Sequence, residues 1–169
     1  RPLDINCKRM QRLINNIVDI SKIESKLLSA NFMNYDIINI VEELTLSVVE
    51  YALLKNINIQ FDTNVEQHII KCDASMIERV ILNLLSNAIK FSDLNKNIFV
   101  NILVNEEWVE IEVIDEGIGI PDISKQIIFE KFVQADKSFT RMNEGSGIGL
   151  SIIKSLIDLH DGEIKLESE

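Results

Sequence analysis

Apolar residues recur at steps of three and four between positions 5 and 28, where Met10, Leu13, Ile17, Ile20 and Leu27 mark one stripe. Ile14 and Ile23 widen it and Glu24 interrupts its seam. This spacing predicts a helix whose apolar face needs a partner, either a second helix or the chain's own domain. After Ser29 the pattern changes. Residues 31–35 suit a short strand, and Asp36 suits the N-cap of a helix reaching about residue 54, with Ile40, Val41, Leu44, Val48 and Leu53 on its inner side. Residues 57–61 alternate strictly, as in a half-buried strand, and 68–72 read as a second. Asp73 then caps a long helix to about residue 91. Strands over 98–104 and 108–114 are joined by the hairpin Asn105-Glu106-Glu107. Residues 121–144 are polar and poorly periodic, with a short helical piece near 127–132. A last helix runs over about 147–159, and Gly162 ends it before a strand at 163–167.

Helices mixed with hairpins in this way predict an α/β (α+β) two-layer sandwich, one mixed sheet covered by helices on one face. Residues 30–169 read as one domain and residues 1–29 as the end of another. A chain of 169 residues with 46% hydrophobic positions can bury a genuine core. Its formal charge of -10 disfavours a sequence-independent grip on nucleic acid or an anionic membrane. An anionic substrate would need local cations or a metal. Cys7 and Cys72 show no CxxC pairing and read as two thiols in a reducing compartment. The absence of an apolar run of roughly 20 residues, and of a signal-peptide pattern in Arg1-Pro2-Leu3-Asp4, predicts a cytoplasmic domain.

Three segments carry chemistry. On the helix through residue 91, Ile77, Ile81, Leu84, Leu85 and Ala88 share one face, while Asn83, Asn87 and Lys90 share the opposite one. Amide oxygens suit Mg²⁺ and an ammonium suits phosphates, although a solvated face has the same appearance. The second segment is Asp115-Glu116-Gly117-Ile118-Gly119-Ile120-Pro121, directly after a strand. Its glycines allow a sharp turn and close approach of a flat ligand, and an acidic side chain there can accept from an exocyclic amine. The third is Gly145-Ser146-Gly147-Ile148-Gly149-Leu150, which opens the last helix. Free amides at a helix N-terminus, with glycines to bring them close, favour an anion. The segment is neither a P-loop, because no Gly-Lys-Ser/Thr follows, nor a good dinucleotide fingerprint, because a long loop precedes it.

In this order and at these spacings the three segments resemble the N, G1 and G2 boxes of the histidine-kinase branch of the GHKL ATPases, which also include gyrase, Hsp90 and MutL. Phe129-Glu130-Lys131-Phe132 resembles the F box, and residues 6–25 resemble the second dimerisation helix and its exit. Lys90-Phe91 is similar to the kinase branch rather than to the gyrase and MutL branch. The resemblance implies the Bergerat ATP-binding fold, ATP and Mg²⁺ as ligands, and these roles. Asp115 would hold the adenine amino group and Phe91 would pack on the ring. Asn83 would help coordinate Mg²⁺, while Asn87 and Lys90 would contact phosphates. Gly117 and Gly119, with Ile120 beside them, would form the adenine floor. Gly145, Gly147 and Gly149, with Ser146 and Leu150 in the same box, would anchor the phosphate end of a mobile lid over about 122–144. Arg141 stands where some members place a lid cation near the γ-phosphate.

The position one turn before the first amide, where hydrolytic branches carry a water-activating glutamate, is Arg79, with Glu78 beside it. A kinase whose acceptor is a histidine nitrogen needs no such base. No catalytic residue is assigned. The family's phosphoacceptor histidine lies on the first dimerisation helix, and neither His68 nor His160 has that context. His160 matches a helix terminus, where a structural role is expected. The family also implies a final strand beyond Glu169, so the chain reads as an excised piece. The whole protein is then expected to be a homodimeric two-component sensor, with or without a membrane anchor. It would phosphorylate its own dimerisation domain and signal to a response regulator, without nucleic acid. The competing readings are a decayed nucleotide-binding or interaction module and a serine kinase of the anti-sigma type.

Overall fold

The computed structural model describes residues 18, 21, 29–125, 127–129 and 149–168. They fall into two compact units, one formed by 31–120 with 168 and the other by the residues before 31 and by 121–167. Of the helix expected over 5–28, only Val18 and Ser21 are described, both helical and exposed; the stripe from Met10 to Leu27 lies outside the described residues.

In the first unit the order is β1 (Met33–Asp36), α1 (Ile37–Leu53), β2 (Asn58–Thr63), β3 (Ile69–Cys72), α2 (Ala74–Phe91), β4 (Asn97–Val104) and β5 (Val109–Asp115). β2 runs parallel to β4 and β4 antiparallel to β5, so this three-stranded sheet is mixed, as expected; β1 and β3 form a separate antiparallel pair. Alternation along β4 sends Ile98, Val100 and Ile102 fully into the core. On the other face Asn101 donates from Nδ2 to Glu112 at 3.2 Å. Ala52 and Val48 of α1, Ala88 and Ile89 of α2, Ile57, Ile59, Ile98 and Val113 pack into one cluster, which places both helices on the sheet's apolar face.

Two aspartates start the helices. Asp36 Oδ1 accepts from Ile38 N at 3.2 Å and from His68 N at 3.1 Å, so the cap of α1 also holds the entry to β3. The inner stripe of α1 differs from the expected one. Ala52 is buried whereas Leu53 is 56% exposed, because the inner row of buried 41, 45 and 52 with half-buried 48 advances by the helical period. Thr45 is tolerated in that row because its hydroxyl donates to Val41 O at 2.7 Å.

Asp73 caps α2 by accepting from Ser75 N at 3.0 Å, Met76 N at 3.2 Å and the Ser75 hydroxyl at 2.7 Å. Its other oxygen accepts from Asn31 N at 2.8 Å. Burial alone would raise this carboxyl, but the bonds from the Ser75 hydroxyl and from the amides of Asn31, Met76 and Ser75 outweigh it and hold the group below its ordinary value. A depressed pKa in the folded state contributes stability above the unfolded value and loses it as pH falls through the folded one. Asp73→Ala is therefore expected to cost about 0.5–2 kcal/mol at neutral pH. The deficit should shrink as pH drops below about 4. Urea melts across that range check this; a deficit that does not change with pH would contradict it.

In the second unit a short helix, α3 (Asp122–Lys125), precedes a turn over 127–129, and α4 spans Gly149–Asp158. Of the helical piece expected near 127–132, residues 127–129 form a turn and 130–132 lie outside the described residues, while a helix not expected from the sequence spans Asp122–Lys125. Pro121 presets the first turn, and its carbonyl accepts from Ser124 N at 2.8 Å and Lys125 N at 3.2 Å. After α4, Gly162 N donates back to Ile157 O at 3.0 Å, but the residue with positive φ is Asp161, at 55°. A Cβ on Gly162 would meet Ile157 Cγ2 at 3.0 Å, a tight contact that Ile157 would have to yield to by a few tenths of an ångström. His160 Nδ1 donates to Leu156 O at 2.7 Å, which ties the imidazole to its own helix end. Residues 163–167 alternate between exposed and half-buried as a strand would, yet they join no ladder among the described residues. Alternation sets faces, while a ladder needs a neighbour.

Candidate nucleotide-binding site

α2 exists because its apolar row, Met76, Ile77, Val80, Ile81, Leu85, Ala88 and Ile89, is buried from end to end. The same rotation leaves Asn83, Asn87 and Lys90 half-buried along the other side and Phe91 half-buried as the last residue. Lys55 of the α1–β2 loop donates from Nζ to Ile89 O at 2.9 Å, placing a cation at the negative end of the helix. Lys90 Nζ lies 4.7 Å from the centroid of the Phe91 ring, within cation–π range. The two residues expected at opposite ends of a nucleotide therefore touch each other here.

The chain turns at the end of β5 and comes back against α2. Ser92 and Gly117 form an antiparallel bridge, and Ile118 N donates to Phe91 O at 3.3 Å. A Cβ on Gly117 would meet Asp115 Oδ1 at 2.5 Å and Phe91 O at 2.8 Å, so the contact depends on the missing side chain. Asp115 Oδ1 accepts from Gly117 N at 2.9 Å. Asp115 stays exposed at this corner, and partial loss of water raises its carboxyl above the ordinary value, offset in part by the Gly117 amide. Glu116 Oε2 accepts from Asn97 N at 2.9 Å and Asn97 Nδ2 at 3.2 Å; the Asn97 amide is the main cause of a lowered Glu116 pKa. Gly119 is the glycine that uses positive φ, at 71°, and Ile120 N donates to Ser168 Oγ at 2.8 Å.

One unit therefore brings together Asn83, Asn87, Lys90, Phe91, Asp115, Gly117, Gly119 and Ile120. Gly149 and Leu150 are half-buried at the start of α4, in the other unit. Arg141, Gly145, Ser146 and Gly147 lie outside the described residues, as do Glu130 to Phe132 of the F box and most of the expected lid. Sequence reasoning missed Lys55, Ser92 and Ser168. Lys55 and Ser92 carried no pattern of their own, and Ser168 stands 48 positions from its partner.

Asn83 suits the divalent ion implied for it. No group of three or more His, Cys, Asp or Glu gathers among the described residues. A divalent ion held at Asn83, as the resemblance implies, would use its amide oxygen together with the nucleotide's own phosphates.

Fold and motif order define the class, an α/β sandwich of the GHKL ATP-binding kind. The profile of the family described as histidine kinase-, DNA gyrase B- and HSP90-like ATPase matches residues 72–169, and the chain belongs to that family. It is similar to the circadian input-output histidine kinase CikA of Synechococcus elongatus, 30% identical over 95% of this chain and 22% of that protein. It is also similar to the sensor histidine kinase WalK of Bacillus subtilis, 34% identical over 95% of this chain and 26% of that one. The chain thus spans about a quarter of the length of these relatives. Among solved structures, the catalytic domain of histidine kinase ThkA superposes with a TM-score of 0.67 at 26% identity, covering 76% of this chain and 80% of that one. ThkA in complex with the response regulator protein TrrA gives 0.75 at 24% identity, covering 98% and 47%.

Proposed function

We propose that this chain binds Mg-ATP between the polar face of α2 and the Asp115–Ile120 turn, and delivers the γ-phosphoryl to a histidine on a dimerisation helix. The supporting observation is the lock between Gly117 and the end of α2. It ties the Asp115–Ile120 turn to the last residue of α2, the helix that carries Asn83, Asn87 and Lys90. Asp115 accepts from the adenine amino group, Phe91 packs on the ring, and Asn87 and Lys90 hold phosphates. Asn83 helps hold Mg²⁺, which supplies charge neutralisation at the phosphates. In the transfer the histidine nitrogen's lone pair forms the new bond to phosphorus while the bond to the bridging oxygen breaks and ADP leaves. Such a reaction asks the protein for alignment and positive charge more than for covalent help. Arg141 and the glycines at 145, 147 and 149 serve the phosphate end.

In this reading residues 1–29 end the dimerisation domain and 30–169 form the catalytic domain. The whole protein is a homodimeric two-component sensor that signals to a response regulator; the similar kinase ThkA forms a complex with the response regulator protein TrrA. Its catalytic part is cytoplasmic, whether or not the full protein is anchored. No helix among the described residues is long and apolar enough to cross a membrane.

Calorimetry with Mg-ADP tests binding. Incubation with γ-labelled ATP tests transfer: this chain alone should remain unlabelled, and a supplied dimerisation domain bearing the histidine should acquire acid-labile, base-stable label. Such label on His68 or His160 instead would overturn the assignment.

A further inference from the structure

Both ends of the turn after β5 are tied down, and the two ties differ in kind. On the near side Gly117 N is held by Asp115, Ile118 N by Phe91 O, and Glu116 by Asn97. All of these partners lie within 28 positions of the turn. On the far side the Ile120 amide donates at 2.8 Å to the hydroxyl of Ser168, 48 residues later. Ser168 also groups with residues 31–120 rather than with the 121–167 segment that leads to it. Between the two ties stands Gly119 at φ 71°, a residue with almost no intrinsic preference among backbone conformations. Pro121 follows and has no amide, so Ile120 is the last donor before the chain leaves the turn.

A glycine between two anchors adopts one conformation only while both hold. Removing the far anchor would let the peptide linking Gly119 to Ile120 rotate, and would leave a part-buried N–H without its acceptor. From this we infer that Ser168 is a positioning residue of the nucleotide site: its hydroxyl fixes the Gly119–Ile120 peptide and thereby the floor on which the base rests. The inference depends on the nucleotide reading above. It assigns no contact between Ser168 and the ligand. A serine hydroxyl is suited to the task because it accepts from the amide and can donate onward, and Ser168 has a further interaction besides this one.

The test uses the whole 169-residue chain and Mg-ADP as the probe. Ser168→Ala is expected to weaken Mg-ADP binding roughly three- to tenfold, the range for losing one hydrogen bond. Its melting temperature should fall by no more than about 4 °C, because the bond serves a turn and not the core. Amide exchange at Ile120 should accelerate at least about tenfold while exchange in β4 stays unchanged. Ser168→Thr keeps the hydroxyl and should bind within about twofold of wild type. Equal affinity of Ser168→Ala and wild type would overturn the inference. So would a Ser168→Thr variant as weak as Ser168→Ala, or a loss of affinity matched by a general loss of stability and of exchange protection throughout the sheet. If wild type itself fails to bind Mg-ADP, the nucleotide reading falls and this inference with it; wild-type binding alongside an unaffected Ser168→Ala removes this inference alone.

Discussion

Asp115→Asn is expected to weaken Mg-ADP binding by about 1–3 kcal/mol, the range for replacing a charged hydrogen-bond partner. The strand-end carboxylate already accepts from Gly117 N, and its remaining acceptor sites are the ones available to an exocyclic amine. Asparagine keeps the shape but offers one oxygen and one donor, and the donor would face the amine's own hydrogens. Desolvation gives the effect a pH signature. Because it raises the Asp115 carboxyl above the ordinary value, wild-type affinity should fall on acidification sooner than for a free aspartate. The variant should show no such limb. For stability the sign is reversed: an acid raised in the folded state favours folding when protonated, so acidification does not unfold the domain through this group. Calorimetry at several pH values decides the matter. Equal affinities at neutral pH, or parallel pH curves, would exclude Asp115 as the base anchor.

Gly117→Ala should be more damaging still. The added carbon would stand 2.5 Å from Asp115 Oδ1, 2.8 Å from Phe91 O and 3.1 Å from Phe91 C. The aspartate can rotate away only by giving up its bond to Gly117 N. The other two atoms are backbone in the last turn of α2, so relief requires the turn and the helix to separate. Overpacking of this sort costs about 1–3 kcal/mol of stability. It would also move Asp115 and the turn away from the end of α2, so Mg-ADP affinity should drop on the order of a hundredfold if the two form one site. A thermal melt paired with calorimetry checks both parts. A Gly117→Ala protein that melts and binds like wild type would show that the turn does not need to touch the helix.

How far these features could be read from the sequence depends on the distance over which each is encoded. The two faces of α2 were legible because a period of about 3.6 residues separates Ile77, Ile81 and Leu85 from Asn83, Asn87 and Lys90 within a single element. Both aspartate caps were legible for the same local reason. The inner row of α1 was misassigned by one residue at its end, since Ala52 carries little hydrophobic signal and Leu53 carries much, while geometry alone decides which is covered. α3 was not expected, because Pro121, which starts it, stands in a polar stretch without a clean period. Of the site, Asp115, Gly117 and Gly119 stand in a motif that the resemblance singles out, whereas the contact of Gly117 with Phe91 has no local signal. The Lys55 contact with Ile89 and the Ser168 contact with Ile120 join residues 34 and 48 positions apart, and no local pattern announces either.

In the proposed site the Lys90 ammonium resting over the Phe91 ring would make the two halves of a nucleotide depend on each other. A base packing on the face that the ammonium covers would have to displace it, and a bare nucleoside has nothing to offer it in return. A nucleotide would bring phosphates that draw the lysine away as the base arrives, so the anionic end would clear the seat for the aromatic end. Discrimination between phosphorylated and unphosphorylated forms of one base would then arise from a competition settled inside the protein, in addition to any direct attraction between the lysine and the phosphates.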